Sequence, residues 1–148
     1  MFVAHARTVP ALVAALVVGT CAPCAFAQLP GSTTLSTAGT TEQGLTSYLE
    51  KLQKAVQADD RASVAKLVSF PLRAWNGKTD AIIKDKKQFL AQYTAIFSTS
   101  LKKTIGAARL ENSWANYQGV MFESGRFWLR PDADGALRMV TTNAPIGG

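Results

Sequence analysis

Three features of the sequence predict an α+β fold. Helical periodicity is confined to its first two thirds, short alternating strands fill its last third, and strong turn signals separate those strands. Helices gathered ahead of an antiparallel meander point to N-terminal helices packed on a curved antiparallel sheet, the sheet wrapping around a long helix.

The elements follow in order. Leu45, Tyr48, Leu49, Leu52, Ala55 and Val56 recur at three- and four-residue spacing and predict a helix over about Thr46 to Ala58. Asp59 and Asp60 interrupt it. Asp60 is the expected N-cap of a short second helix carrying Val64, Leu67 and Val68. Pro71 stops that helix, and Phe70 to Trp75 reads as a strand. Asn76-Gly77 is a hairpin turn signal, with Lys78 to Ile83 as the returning strand. Asp85 with Gln88 predicts a capped third helix that buries Phe89, Leu90, Tyr93, Ile96 and Phe97. Ser100 is expected to cap a further turn that stops at Gly106. Trp114 to Phe122, Arg126 to Arg130 and Ala136 to Thr142 are the expected meander strands. Ser124-Gly125 and Pro131 to Gly135 join them. The expected core is Leu49, Leu52, Val56, Leu67, Phe89, Tyr93, Ile96, Phe97, Val120, Phe122, Phe127 and Leu129.

Residues 1–27 read as a secretory signal peptide. His5 and Arg7 form a polar start, Pro10 to Gly19 is apolar, and Ala25-Phe26-Ala27 is a small-x-small cleavage site. A lipoprotein site at Cys21 fits poorly, because Thr20 stands where a Gly, Ala or Ser is wanted. Cleavage after Ala27 leaves 121 residues in one domain and sends the product to the periplasm or the outside of the cell. Residues 28–41, rich in Ser, Thr and Gly, read as a flexible leader, with 42–148 as a single domain.

Cleavage also removes His5, Cys21 and Cys24, the chain's only histidine and both cysteines. A mature chain without imidazole or thiol cannot build Ser-His-Asp or Cys-His nucleophile systems, the usual zinc sites or a disulfide. No phosphate loop, dinucleotide fingerprint or metal cluster is present, so no cofactor is expected. No segment reaches the roughly 20 apolar residues of a membrane span.

The whole chain carries 16 basic and 10 acidic residues, and loss of Arg7 leaves 15 against 10. The basic residues are scattered. The group Lys84, Lys86 and Lys87 and the pair Lys102-Lys103 lack the interleaved aromatics of a single-strand binder, so nucleic acid is not expected as a partner.

Several strings resemble a group of small exported bacterial proteins with a cystatin-like fold, related to nuclear transport factor two and ketosteroid isomerase. They are Val68-Ser69-Phe70-Pro71-Leu72-Arg73, then Phe89-Leu90-Ala91-Gln92-Tyr93 with Ile96-Phe97, then Asn116-Tyr117-Gln118-Gly119-Val120-Met121 and Gly125-Arg126-Phe127-Trp128-Leu129. The resemblance spans about Leu45 to Val140. It implies a cystatin-like cone, open at one end, and adds little about function, since most such members have no assigned activity.

A two-residue turn at Ser124-Gly125 would set Glu123 against Arg126, Phe122 against Phe127, Met121 against Trp128 and Val120 against Leu129. Phe122, Val120, Phe127 and Leu129 then form the core face. Continuing by twos along one strand, Gln118, Asn116 and Trp114 fall on that same face, which turns polar toward its end. Trp114, Asn116 and Gln118 with Tyr93 on the facing helix are therefore the candidate ligand-binding residues at the mouth of the cone. The bland alternative is that Asn116 and Gln118 satisfy backbone groups at a strand end.

The opposite face carries Tyr117, Met121, Trp128, Glu123, Arg126 and Arg130. A five-residue loop from Pro131 to Gly135 would set Leu129 against Leu137, Phe127 against Met139 and Trp128 against Arg138. Tyr117, Met121, Trp128 and Arg138 form the candidate partner surface, for a homodimer or another protein.

The expected function is a non-catalytic binding module, holding a small apolar ligand in the cone or a protein partner on the sheet. The alternatives are an inhibitor or immunity-type protein, and a small lyase or isomerase. A lyase or isomerase needs a carboxylate base, for which Asp80 and Glu111 are the candidates, with Tyr93 or Tyr117 as proton donor.

Overall fold

The computed structural model describes residues 32–75 and 80–143. The signal segment 1–27 and the Asn76-Gly77 turn lie outside the described residues. The helices are α1 (Ser32–Thr37), α2 (Glu42–Gln57), α3 (Arg61–Lys66), α4 (Lys86–Ala91), α5 (Tyr93–Ile96) and α6 (Thr99–Ala107). The strands are β1 (Val68–Trp75), β2 (Asp80–Ile83), β3 (Ser113–Asn116), β4 (Gly119–Phe122), β5 (Phe127–Pro131) and β6 (Leu137–Thr142).

Helix α2 begins where the Thr41 hydroxyl accepts from the Gly44 N–H at 3.1 Å. Its apolar stripe of Leu45, Tyr48, Leu49, Leu52, Ala55 and Val56 is buried. Asp59 ends it in the left-handed region, φ 49°, and the Asp60 N–H donates back to the Ala55 carbonyl at 2.9 Å. Asp60 then caps α3, accepting from the Ser63 N–H at 3.0 Å. Asp85 caps α4 through the Gln88 N–H at 2.8 Å. The Gln88 side chain reaches back to the Lys84 N–H, one residue upstream of the cap.

The third helix is not continuous. Gln92 breaks it into α4 and α5, so Phe89 and Tyr93 sit on separate short helices. Ser98 rather than Ser100 caps α6, and the helix runs one residue past Gly106. Part of the stretch read as a flexible leader forms α1, where Leu35 is fully buried. One leucine among small polar residues carries no periodicity, so the sequence offered no signal for it.

The six strands form one open sheet in the order β2-β1-β6-β5-β4-β3. It is mixed, not purely antiparallel. The chain leaves the β1–β2 hairpin through α4, α5 and α6, enters at the far edge with β3, and works back until β6 lies parallel to β1. The β1–β6 register shifts between Val68 and Arg73, around Pro71, which has no N–H to give to a ladder. The helices pack on one face of the sheet. Every predicted core residue is buried there except Leu67, which is partly buried.

Three expectations for the meander need correction. Trp114 to Phe122 is not one strand. It is the β3–β4 hairpin, turning at Tyr117-Gln118, with Asn116 opposite Gly119, Ala115 opposite Val120 and Trp114 opposite Met121. The Asn116 Oδ1 accepts from the Gln118 N–H at 2.7 Å and closes the turn. Gly119 has φ 134°, and a Cβ there would strike the Leu129 carbonyl.

The β4–β5 pairs are as expected, but a four-residue loop, 123–126, joins these strands. Glu123 therefore does not face Arg126. It accepts from the Thr104 hydroxyl at 2.9 Å.

The β5–β6 register is displaced by two residues and then bulged. Leu129 pairs with Met139, Arg130 with Arg138 and Trp128 with Thr141. The loop lies at 132–136, because the Asp132 N–H bonds the Ala136 carbonyl and extends the ladder to Pro131.

Candidate functional site

The side chains of the helix-free sheet face come from alternate strand positions. On β1, Leu72 and Ala74 point into the core while Arg73 and Trp75 are exposed. On β5, Phe127 and Leu129 point inward while Trp128 and Arg130 point outward. The β3–β4 hairpin turns Trp114 outward as well, since it lies opposite Met121, which lies opposite Trp128. All three tryptophans of the chain are thus on one face. The exposed large hydrophobic residues among those described are Trp75, Ile82, Trp114 and Tyr117. Three lie on this face and Tyr117 sits at the hairpin tip beside it.

A groove of about 730 Å³ crosses β1, β6 and β5 to the tip of the β3–β4 hairpin. Trp75 and Trp128 supply its aromatic surface, and Arg73, Asp80, Gln118, Arg130 and Thr141 its polar groups. Arg73 grips Asp80 with both ends of its guanidinium, Nε to Oδ1 at 3.1 Å and Nη2 to Oδ2. That guanidinium holds the Asp80 carboxyl below the usual carboxylate range. Arg130 makes no hydrogen bond or ion pair among the described residues, and so is the groove's uncompensated charge.

The structure does not gather Tyr93, Trp114, Asn116 and Gln118 around one cavity. Trp114 is half exposed on the outer face, edge-on to Trp128 with ring centroids 6.3 Å apart. The two-residue turn at Tyr117-Gln118 reverses the parity that would have put it in the core. Asn116 closes the turn, the role anticipated as the bland alternative. Gln118 borders the outer groove.

Tyr93 is in the core, 1% exposed, stacked on Phe97 at 5.0 Å and edge-on to Phe89 at 5.8 Å. Its hydroxyl is buried and has no hydrogen-bond partner among the described residues. Burial, with the nearby Asp59 charge, pushes its phenol up to about 12. Arg61 and Lys102 sit 5.1 and 5.4 Å from its ring centroid, and Asp59 bridges them at 3.2 and 2.8 Å.

Of the partner-surface candidates, Met121 and Trp128 lie side by side on the outer face and Tyr117 is 79% exposed at the hairpin tip. Arg138 is not opposite Trp128. The displaced register sets it beside Arg130, where it pairs with Asp134 at 2.9 Å and Asp132 at 3.8 Å.

Neither carboxylate considered as a base hydrogen-bonds Tyr93, which is buried in the core, or Tyr117, which is exposed at the hairpin tip. Asp80 is on the opposite sheet face from Tyr93 and is locked to Arg73, and Glu111 is exposed near Gln53 and Arg109. Among the described residues no group of three His, Cys, Asp or Glu could hold a metal ion, and no helix is long and apolar enough to cross a membrane.

Sequence reasoning missed Arg73 and Trp75, and placed Arg130 on the outer face without assigning it to the site. The signal was there for the first two, since alternation in a half-buried strand puts both on the face away from Leu72 and Ala74. Comparison with family models, with curated proteins and with solved structures finds no match.

Proposed function

We propose that this protein is an exported, non-catalytic binding module of cystatin-like type that takes its ligand on the helix-free face of its sheet. One observation carries the reading: all three tryptophans lie on that face, and two of them, Trp75 and Trp128, line a groove with an unpaired arginine. Indoles left in water are an unfavourable use of large apolar surface unless something covers them. Apolar walls with a few polar groups describe a ligand site. The interior offers less, because Phe89, Tyr93, Phe97, Phe122 and Phe127 are packed to near-zero exposure.

Because every indole lies on this face, tryptophan emission reports its occupancy. Titration with neutral sugars, sugar acids, aromatic carboxylates and acidic peptides should give a saturable change that Trp75→Ala removes while the protein remains cooperatively folded. A response that survives both Trp75→Ala and Trp114→Ala would move the site elsewhere. Self-association through the same face is the second reading, favoured by the half-exposed Trp114 beside Trp128. Sedimentation velocity across concentration, with Trp114→Ala beside wild type, separates the two. Export predicts a secreted product beginning at Gln28, read by mass spectrometry. A lipid mass on Cys21 would refute cleavage after Ala27.

A further inference from the structure

We infer that the groove between α2 and α3, on the helix side of the molecule, binds a single-chain amphiphile with an anionic head. The site is separate from the sheet face and does not depend on the reading given above.

The groove follows from the tight corner between the two helices. Only residues 58–60 separate Gln57, the end of α2, from Arg61, the start of α3. So short a connection lays the stripe Lys51, Lys54, Ala55 and Ala58 beside the stripe Asp60, Ser63, Lys66 and Leu67. Together they line about 370 Å³, near the lower end of the range for small-molecule pockets. From Lys51 to Ala58 the groove runs about 10 Å along α2.

Its floor is apolar. Ala55 is buried, and Leu67 is partly buried against the core. Its rim is cationic. Lys51, Lys54 and Lys66 are exposed. Lys51 and Lys54 make no hydrogen bond or ion pair among the described residues, and Lys66 meets the Asp60 charge only through space. Asp60 is already committed to capping α3. Its carboxylate accepts from the Ser63 N–H at 3.0 Å and from the Ser63 hydroxyl at 2.6 Å. Asp59, the next carboxylate, is held by Arg61 and Lys102. Glu50 lines a different cleft, with Gln53 and Arg109. The corner therefore gathers Lys51, Lys54, Arg61, Lys66 and Lys102 around two carboxylates, both engaged. On the sheet face, by contrast, Arg73, Arg130 and Arg138 are equalled in number by Asp80, Asp132 and Asp134.

Floor and rim together select the ligand. Ammonium groups along one groove repel one another, and an anion among them removes that repulsion. A bare inorganic anion would leave the apolar floor in water. A neutral lipid would leave the ammonium groups without a counter-charge. An alkyl chain with an anionic head satisfies both, and the lysine stems extend the apolar walls around it. A single-stranded nucleic acid finds no aromatic ring in this groove to stack on. A protein partner finds no aromatic anchor, and a rim of lysines, which interfaces avoid.

Calorimetry on the mature protein would use octyl phosphate and octanoate below their micelle concentrations. Octyl glucoside, inorganic phosphate and hexathymidylate serve as comparators. At least one octyl anion should bind at a single site, about tenfold tighter than octyl glucoside or inorganic phosphate. Lys51→Gln combined with Lys66→Gln should weaken that anion about tenfold and leave octyl glucoside unchanged. Ala58→Phe should obstruct the groove and weaken the anion without removing a charge. Lys51, Ala58 and Lys66 are exposed, so these variants should fold as wild type does, which far-UV dichroism checks. Tryptophan emission should stay silent, because the indoles lie on the far face of the sheet. Four results overturn the inference: neither octyl anion binds, octyl glucoside or inorganic phosphate binds as tightly, hexathymidylate binds more tightly, or the lysine and Ala58 variants bind like wild type. An octyl anion that shifts tryptophan emission and ignores the lysine substitutions belongs to the sheet face. This inference then falls and the sheet-face reading stands.

Discussion

Tyr93 and Tyr48 are both buried, and their hydroxyls are in opposite situations. Tyr48 donates to the Leu67 carbonyl at 2.8 Å, whereas the Tyr93 hydroxyl has no partner among the described residues. Removing a satisfied hydroxyl strands its partner, and removing an unsatisfied one relieves a desolvation cost. Tyr48→Phe should therefore destabilise by about 1 kcal/mol and Tyr93→Phe should stabilise by about 1 kcal/mol, both read by denaturant unfolding at neutral pH. The pH profile gives an independent check. Folding raises the phenol pKa of Tyr93, so the native state favours its neutral form. Its contribution is complete below pH 10, the unfolded value, and is lost as pH rises toward about 12. Tyr93→Phe should flatten the alkaline arm of the stability curve, and an unchanged arm would place the titration elsewhere. The carboxylates act at the other end. Lys102 and Arg61 hold Asp59, and Arg73 holds Asp80, below the usual carboxylate range. Their contributions are present above the unfolded value and fade as pH falls through the folded ones. Asp59→Asn should shallow the acid arm of the same curve.

At the scale of elements, the β3–β4 hairpin decides which residues can form a site. The register Asn116 opposite Gly119 turns Trp114 outward, and a shift by one residue would turn it back. Gly119 fixes that register, because its φ of 134° and the Leu129 carbonyl beside it exclude a side chain. Gly119→Ala should cost about 1–3 kcal/mol from backbone strain, with the collision adding to it. It should also change the environment of Trp114, visible in near-UV dichroism. Leu35 is fully buried, and α1 packs against the edge strand β3. Leu35→Ala should cost about 2–5 kcal/mol, a large effect from a stretch that reads as leader. A melting temperature unchanged by this substitution would detach α1 from the fold.

Across the whole molecule, one sheet divides the chain's aromatic residues into two populations. Phenylalanines 89, 97, 122 and 127 lie between sheet and helices, and the tryptophans lie on the far side. Such a division predicts separable phenotypes. Phe89→Ala should cost about 3–5 kcal/mol of stability, the usual range for a buried phenylalanine. Trp75→Ala, at a side chain 37% exposed, should cost less, about 1 kcal/mol, and act mainly on binding. Calorimetric melting and tryptophan titration of the two variants together test whether core and binding face are independent.

Local chemistry was enough to determine much of this protein. The stripe of α2, the Asp60 and Asp85 caps, the antiparallel β4–β5 pairing and nearly all of the core follow from spacing and side-chain type. They depend on residues within a few positions of one another, where helix and strand periodicity act. What the sequence left undecided depends on which strand lies beside which. The parallel β1–β6 contact joins segments some 70 residues apart. The two-residue displacement of β6 keeps the apolar positions inward, so alternation does not exclude it, whereas the bulge beside Trp128 and the tight turn at Tyr117-Gln118 break the alternation and send Val140 and Trp114 outward. Trp114 shows the consequence. Its parity along one strand assigns it to the core, and its parity around a hairpin assigns it to the outer face. Only the closed hydrogen-bond ladder, with Gly119 against the Leu129 carbonyl, selects the second and puts all three indoles on one face.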